Sequence, residues 1–166
     1  MTTDAQIIRI ERVDVQRVLP LRQRVLRPHQ KVTEVVNPGD YDPETAHLAA
    51  LLSDPTGGTT VVGTASVHRE QTPWDAGAGT VGWRLRGMAS DPAHRGRGIG
   101  TSLLAATVDY VRTRSAVVAP GGNAVVLWCN ARVSALGFYE RSGLHTQGEQ
   151  WDVPSIGPHL RMWRIL

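Results

Sequence analysis

The 166-residue chain is long enough to bury one core, and with 41% hydrophobic and 20% charged residues it has an ordinary globular composition, which excludes general disorder. No apolar run approaches the roughly 20 residues of a membrane span, and the start, Met1-Thr2-Thr3-Asp4, lacks the basic and apolar parts of a secretory signal. The lone Cys129 rules out an internal disulfide framework, so a single domain over residues 1–166 in a reducing cytoplasm is expected.

The formal charge of +3 is carried almost wholly by arginine, since Lys31 is the only lysine. Guanidinium suits phosphate, but no basic run or aromatic-interleaved stripe points to nucleic acid.

In chain order, Ile7 to Val15 mixes β-branched and charged residues and reads as a first strand. Val18, Leu21, Val25 and Leu26 have helical spacing, with Pro28 as the stop. Asn37-Pro38-Gly39-Asp40 and Asp42-Pro43 predict a loop, followed by a strand over His47 to Leu52 and a turn at Asp54-Pro55-Thr56-Gly57-Gly58. Thr59 to Arg69, rich in valine and threonine, reads as the returning strand of a hairpin. After a turn-rich stretch from Thr72 to Gly79, a strand is expected from Thr80 to Ala89.

A glycine-rich turn then leads into a helix from Gly98 to Arg114, with Ile99, Leu103, Ala106, Tyr110 and Val111 on one face. Ala119-Pro120-Gly121-Gly122 predicts a loop, and Ala124 to Cys129 a strand buried on both faces. A short helix over Arg132 to Arg141 ends at Gly143, a residue suited to the left-handed position. Strands over Leu144 to Trp151 and His159 to Leu166 flank a loop with Pro154, Gly157 and Pro158. The sum is a mixed α/β domain, with an antiparallel N-terminal part and a following strand–helix–strand–helix unit.

The chemistry centres on Arg95-Gly96-Arg97-Gly98-Ile99-Gly100, between an expected strand and an expected helix. Free N–H groups at a helix start and the positive end of its dipole make an anion site, and glycines let the backbone approach phosphate oxygens. A dinucleotide fingerprint fails, because its third glycine is replaced by Thr101 or Leu103 depending on the frame. A P-loop needs a Gly-Lys-Ser/Thr sequence that is absent. A pyrophosphate cradle for coenzyme A and a plain glycine turn are the readings that remain.

Met88 through Gly100 resembles the acetyl-CoA motif of the GNAT family of N-acetyltransferases, in which Arg/Gln-x-x-Gly-x-Gly follows the fourth strand. Ala135-Leu136-Gly137-Phe138-Tyr139-Glu140-Arg141-Ser142-Gly143-Leu144 resembles its second signature, a helix carrying a tyrosine before a Gly-hydrophobic step. Similarity covers about Leu85 to Leu144. Leu21 to Arg27, Asp42 with His47, Arg86 to Ala89, and Pro158-His159 with Met162 are similar to the ElaA-like bacterial branch.

The resemblance implies a mixed central sheet whose fourth and fifth strands splay apart, with helices on its flanks. It implies acetyl-CoA as cosubstrate, a small-molecule or peptide amine as acceptor, no metal, and a homodimer as a common state. By the same resemblance Met88, Ala89 and Ser90 meet the pantetheine arm, and a backbone N–H there polarises the thioester carbonyl. Arg95, Gly96, Arg97, Gly98, Ile99, Gly100 and Thr101 hold the pyrophosphate. Tyr139 falls on the position that protonates the departing thiolate, against its reading as a packing residue.

Candidate bases for the amine are Glu149 and His159, with Asp42 and His47 as weaker cleft-lining candidates. The slot seven residues before the tyrosine, an asparagine that contacts the cofactor in many members, holds Arg132, and Asn130 lies two residues earlier. Cys129 reads as core, and the tryptophans as core or cleft walls. The alternative to an enzyme is a non-catalytic acyl-CoA-binding regulatory module.

Overall fold

The computed structural model describes residues 7–118 and 121–166. The readings of Met1 to Asp4 and of Ala119-Pro120 lie outside the described residues. The chain divides into two compact units. The first takes the described residues up to Ser66 together with Gly87–Thr107, and the second takes Val67–Arg86 with the described residues from Val108 to Leu166.

The elements run β1 (Ile8–Val13), α1 (Val15–Leu26), a 3-10 turn (Val32–Val35), β2 (Ala46–Ser53), β3 (Thr59–Arg69), β4 (Val81–Ser90), a 3-10 turn (Pro92–His94) and α2 (Ile99–Val118). They continue with β5 (Val125–Arg132), a 3-10 turn (Val133–Ala135), α3 (Leu136–Arg141), β6 (His145–Val153) and β7 (Gly157–Ile165). The strands hydrogen-bond in the order β1-β2-β3-β4-β5-β7-β6, a mixed sheet of seven strands flanked by helices. Among the described residues, no helix is long and apolar enough to cross a membrane.

In the first unit β1 pairs antiparallel with β2, from Ile8 opposite Leu52 to Val13 opposite His47. Val15, Val18 and Leu19 of α1 share a buried cluster with Val35 and with Ala49 and Leu51 of β2. Helical i, i+3, i+4 spacing meets strand alternation there, so α1 covers the odd-numbered side of β2. Ala50 looks to the other side. There a Cβ on Gly63 of β3 would lie 2.5 Å from Cγ2 of Ile99, 3.0 Å from Leu103 Cδ1 and 3.2 Å from Ala50 Cβ. Gly63 is the hollow into which the first turn of α2 packs.

In the second unit β4 and β5 run parallel, with Val81 to Arg84 opposite Val125 to Trp128. This ladder ends at Arg84 and Trp128, although β4 runs on to Ser90 and β5 to Arg132. β5 pairs antiparallel with β7 along nearly its whole length, and β7 with β6. Trp83 is fully buried, its indole N–H donating to Ser115 Oγ at 2.9 Å and its ring meeting Tyr110 edge-on.

Several boundaries differ from expectation for physical reasons. α2 passes Arg114 because Ser115, which breaks the apolar pattern, is buried as the acceptor for Trp83. Arg132 ends β5, opposite His159, and helical structure begins only with the following 3-10 turn. Gly157 and Pro158 belong to β7, opposite Val153 and Asp152, and the loop is shorter than expected. Gly143 has φ +82, the left-handed cap expected of it.

Candidate functional site

The first unit carries the glycine turn. Asp91 caps the 3-10 turn, accepting the Ala93 N–H at 2.9 Å and pairing with Arg24. The Ala93 bond first, then Arg24, holds its carboxyl below the usual range. Gly96 and Gly98 have φ +78 and +72, and nothing lies within 4 Å of a Cβ placed on either. α2 opens with Ser102 N–H donating to Gly98 O at 3.0 Å. By helix geometry, the amides from Gly98 to Thr101 have no intrahelical acceptor.

Ile99 is buried against Gly63 and anchors this turn, while Arg95 and Arg97 are exposed beside it. An open left-handed turn, free amides, the positive end of a 20-residue helix and two guanidinium groups fit a diphosphate.

Just before the turn, β4 supplies Met88, Ala89 and Ser90, of which Ala89 is buried and its neighbours half-buried. Gly87 takes φ +57 inside the strand, and its carbonyl accepts the Thr64 hydroxyl at 2.8 Å. A Cβ on Gly87 would lie 2.7 Å from Nε of Arg22. Arg22 is itself sealed: its guanidinium pairs with Asp40, donates to Val35 O at 3.0 Å and to Ser66 Oγ at 2.9 Å.

His47 completes this network, with Nδ1 2.7 Å from Ser66 Oγ and Nε2 2.8 Å from Asp40 O. The expectation that His47 lines a cleft is therefore corrected, because both ring nitrogens are engaged and the residue is buried. Asp42 is exposed and turns back on its own loop, accepting the Glu44 N–H at 2.8 Å; the buried carboxylate is Asp40.

The second unit carries the remaining candidates. Tyr139 of α3 is 7% exposed and its hydroxyl is bonded to the Cys129 thiol. Burial first, then Cys129, raises the phenol well above its ordinary value, so it stays protonated at any working pH. Burial likewise pushes the Cys129 thiol up to about 12, which agrees with a core residue and not a nucleophile.

His159 is buried and its Nδ1 lies 2.8 Å from Gly157 O. A carbonyl only accepts, so in the neutral ring Nδ1 carries the proton and Nε2 keeps a lone pair. Glu149 is exposed, in the irregular stretch of β6 between Gln147 and Trp151.

Asn130 on β5 stands directly opposite Arg161 on β7, and Arg132 opposite His159. Strand alternation puts Trp128, Asn130 and Arg132 on one face, with Trp163, Arg161 and His159 beside them. β4 adds Arg84, whose guanidinium stacks over Trp128 at 4.7 Å and pairs with Glu70 at 2.7 Å. Glu70 also meets Arg86 and His68. Burial alone would raise its carboxyl, but His68 and the two arginines outweigh that and hold it low. Sequence reasoning named Asn130, Arg132 and His159 but missed Arg161 and the cluster of Arg84, Glu70 and His68. Its signal was the alternation Trp83-Arg84-Leu85-Arg86, a strand with one apolar and one cationic side.

Comparison with known proteins gives a match of residues 17–144 to the acetyltransferase (GNAT) family. The uncharacterized N-acetyltransferase YitI of Bacillus subtilis is 28% identical over 160 residues, covering 96% of this chain and 97% of the relative. Among solved structures, Escherichia coli ElaA has a similar fold, with a TM-score of 0.67 at 17% identity over 95% of this chain and 99% of that one. Arabidopsis thaliana NAA60 in complex with a bisubstrate analogue has a TM-score of 0.65 at 14% identity, over 96% and 99%.

Proposed function

Because the chain belongs to the acetyltransferase (GNAT) family and is an acyltransferase using an acyl-CoA cosubstrate, we propose that it moves an acetyl group from acetyl-CoA to a primary amine of a small molecule or peptide by direct attack. Family membership sets aside the non-catalytic module. The observation that carries the reading is the open glycine turn at the start of α2, with its free amides and flanking arginines. We take the whole chain as one cytoplasmic GNAT domain able to form a homodimer.

Arg95, Gly96, Arg97, Gly98, Ile99, Gly100 and Thr101 bind the pyrophosphate. The backbone of Met88, Ala89 and Ser90 pairs with the pantetheine arm and presents an N–H toward the thioester carbonyl; the left-handed Gly87 sets its direction. When bound, the thioester supplies an activated acyl carbon. Tyr139, kept protonated by burial, gives its phenolic proton to the departing sulfur. Of the two candidate bases His159 is favoured over Glu149, because the Gly157 carbonyl fixes the tautomer whose Nε2 can take the amine proton.

Acetyl-CoA mixed with a panel of amines tests the reading through thiol release. Amine-dependent release is expected, and Tyr139→Phe should lower kcat by about 10²-fold with acetyl-CoA binding retained. Release independent of any amine, or unchanged kcat in Tyr139→Phe, contradicts it.

A further inference from the structure

The face of the second unit that carries Trp128, Asn130, Arg161 and His159 holds a mismatch. Arg161 Nε, a donor, and Asn130 Oδ1, an acceptor, are buried without a hydrogen-bond partner. They belong to residues directly opposite in register, where side chains are near neighbours, yet the two groups do not satisfy each other. A buried polar atom left unpaired is costly, and native proteins keep few of them. The Cζ of Arg161 lies over the Trp151 ring, 5.1 Å from its centroid, and among the described residues Arg161 makes no ion pair with any carboxylate. Arg84 Nε is likewise unpartnered, but its guanidinium already has Glu70, so the missing carboxylate is what sets Arg161 apart. The face thus offers a planar guanidinium awaiting an anion, and next to it an oxygen awaiting an N–H donor.

We propose that the acceptor is a small primary amine bearing a carboxylate close to the nitrogen, as in a free amino acid. Arg161 binds the carboxylate, and Asn130 Oδ1 receives an N–H of the amine. Arg161 suits a carboxylate because its fork of N–H donors matches the two oxygens of that group. His159 lies two residues from Arg161 on the same strand and side, within the span of such a molecule.

This inference rests on the acyltransferase reading. In the transfer the amine lone pair forms the new C–N bond to the acyl carbon and the C–S bond breaks. The amine proton passes to His159 Nε2, and the sulfur takes the phenolic proton of Tyr139, leaving an amide and a free thiol. Asn130 is here assigned to the acceptor instead of the cofactor. The proposal also separates two acceptor classes. A peptide N-terminus carries a neutral amide where an amino acid carries its carboxylate, so a peptide leaves Arg161 unmatched.

The test compares pooled free amino acids with the same pool as C-terminal amides and as decarboxylated amines, by ligand-observed NMR binding to the CoA-loaded protein and by thiol release. Wild type should bind and acetylate the free amino acids at least tenfold better than either neutral pool. Arg161→Gln should lose that preference chiefly through KM, and Arg161→Lys should recover part of it. Glu70→Gln, which removes negative charge from Arg84 on the same face, should strengthen carboxylate binding.

Equal binding of all three pools, or a preference that survives Arg161→Gln, overturns the proposal. Binding is read independently of turnover. Selective binding of amino acids without thiol release would support the carboxylate site and count against the acetyl-transfer reading. Amide-selective release would do the reverse.

Discussion

The two units each pair arginine with carboxylate, and they do it in opposite ways. In the first, Arg22 and Asp40 are sealed, with side chains 3% exposed; their terminal atoms also bond Val35 O, Ser66 and the Asn37 N–H, and only Arg22 Nε is left without a partner. In the second, Glu70 is about one-third exposed and shared among Arg84, Arg86 and His68, while Arg161 on the same face has no carboxylate. A buried pair closed by carboxylate and backbone fixes shape: Arg22 sits where a side chain at Gly87 would have to go, beside the left-handed residue that precedes Met88–Ser90. A half-open cluster with surplus cation is poor scaffolding but suited to holding an anion. Burial and stoichiometry decide which role a guanidinium plays.

The largest effect expected from this contrast comes from removing one partner of the sealed pair. Asp40→Ala leaves an uncompensated buried guanidinium and should lower unfolding free energy by about 3–5 kcal/mol in urea titration. An apolar double replacement, Arg22→Met with Asp40→Leu, should recover much of that loss in stability. A loss below about 1 kcal/mol for Asp40→Ala would place the pair in solvent and break the comparison.

A second test probes the buried side of β5. The Cys129 thiol titrates near 12 when folded, against 9.0 for an unperturbed thiol, so between these values the unfolded chain gives up a proton that the folded one keeps. Stability should therefore fall as pH rises above about 9, by about 1.4 kcal/mol per pH unit from this group. Cys129→Ala should flatten that slope. Identical alkaline profiles for the two proteins would contradict the assignment of Cys129 to the core.

The smallest effect belongs to the open cluster. Glu70→Gln should change stability by no more than about 1 kcal/mol, since a partly exposed ion pair contributes little. A loss comparable to that of Asp40→Ala would show that both clusters are structural.

How far the sequence speaks follows the range of the interactions. Thr59–Arg69 was legible to the residue, because β-branched content and flanking turns are local signals. The glycine turn was legible for the same reason, six consecutive residues specifying the chain path into α2. α1 begins at Val15, three residues before its expected start, with Asp14 O accepting the Arg17 N–H at 2.9 Å.

His47 was misread because its partner Ser66 is 19 residues away, and nothing near His47 announces it. Arg84 and Arg161, and the placing of Asn130 beside Arg161, were missed for a stronger version of that reason. The three residues lie on three strands, and only the β5–β7 register sets Asn130 opposite Arg161. Tyr139 was singled out by its resemblance to a signature, but its bond to Cys129, on another element, could not be read from either residue alone.

The central claim is that the turn from Arg95 to Thr101 binds coenzyme A phosphates. The direct measurement is thermal stabilisation by acetyl-CoA and by free CoA, in wild type beside Gly98→Trp, with the melt of each unliganded protein as the check on folding. Gly98 has φ +72 and open space around it, so a tryptophan there should lower the unliganded melting temperature modestly while filling the cradle. The account predicts a clear shift with both ligands in wild type and none in the folded variant. No shift in wild type at millimolar ligand, or equal shifts in the two proteins, would contradict it.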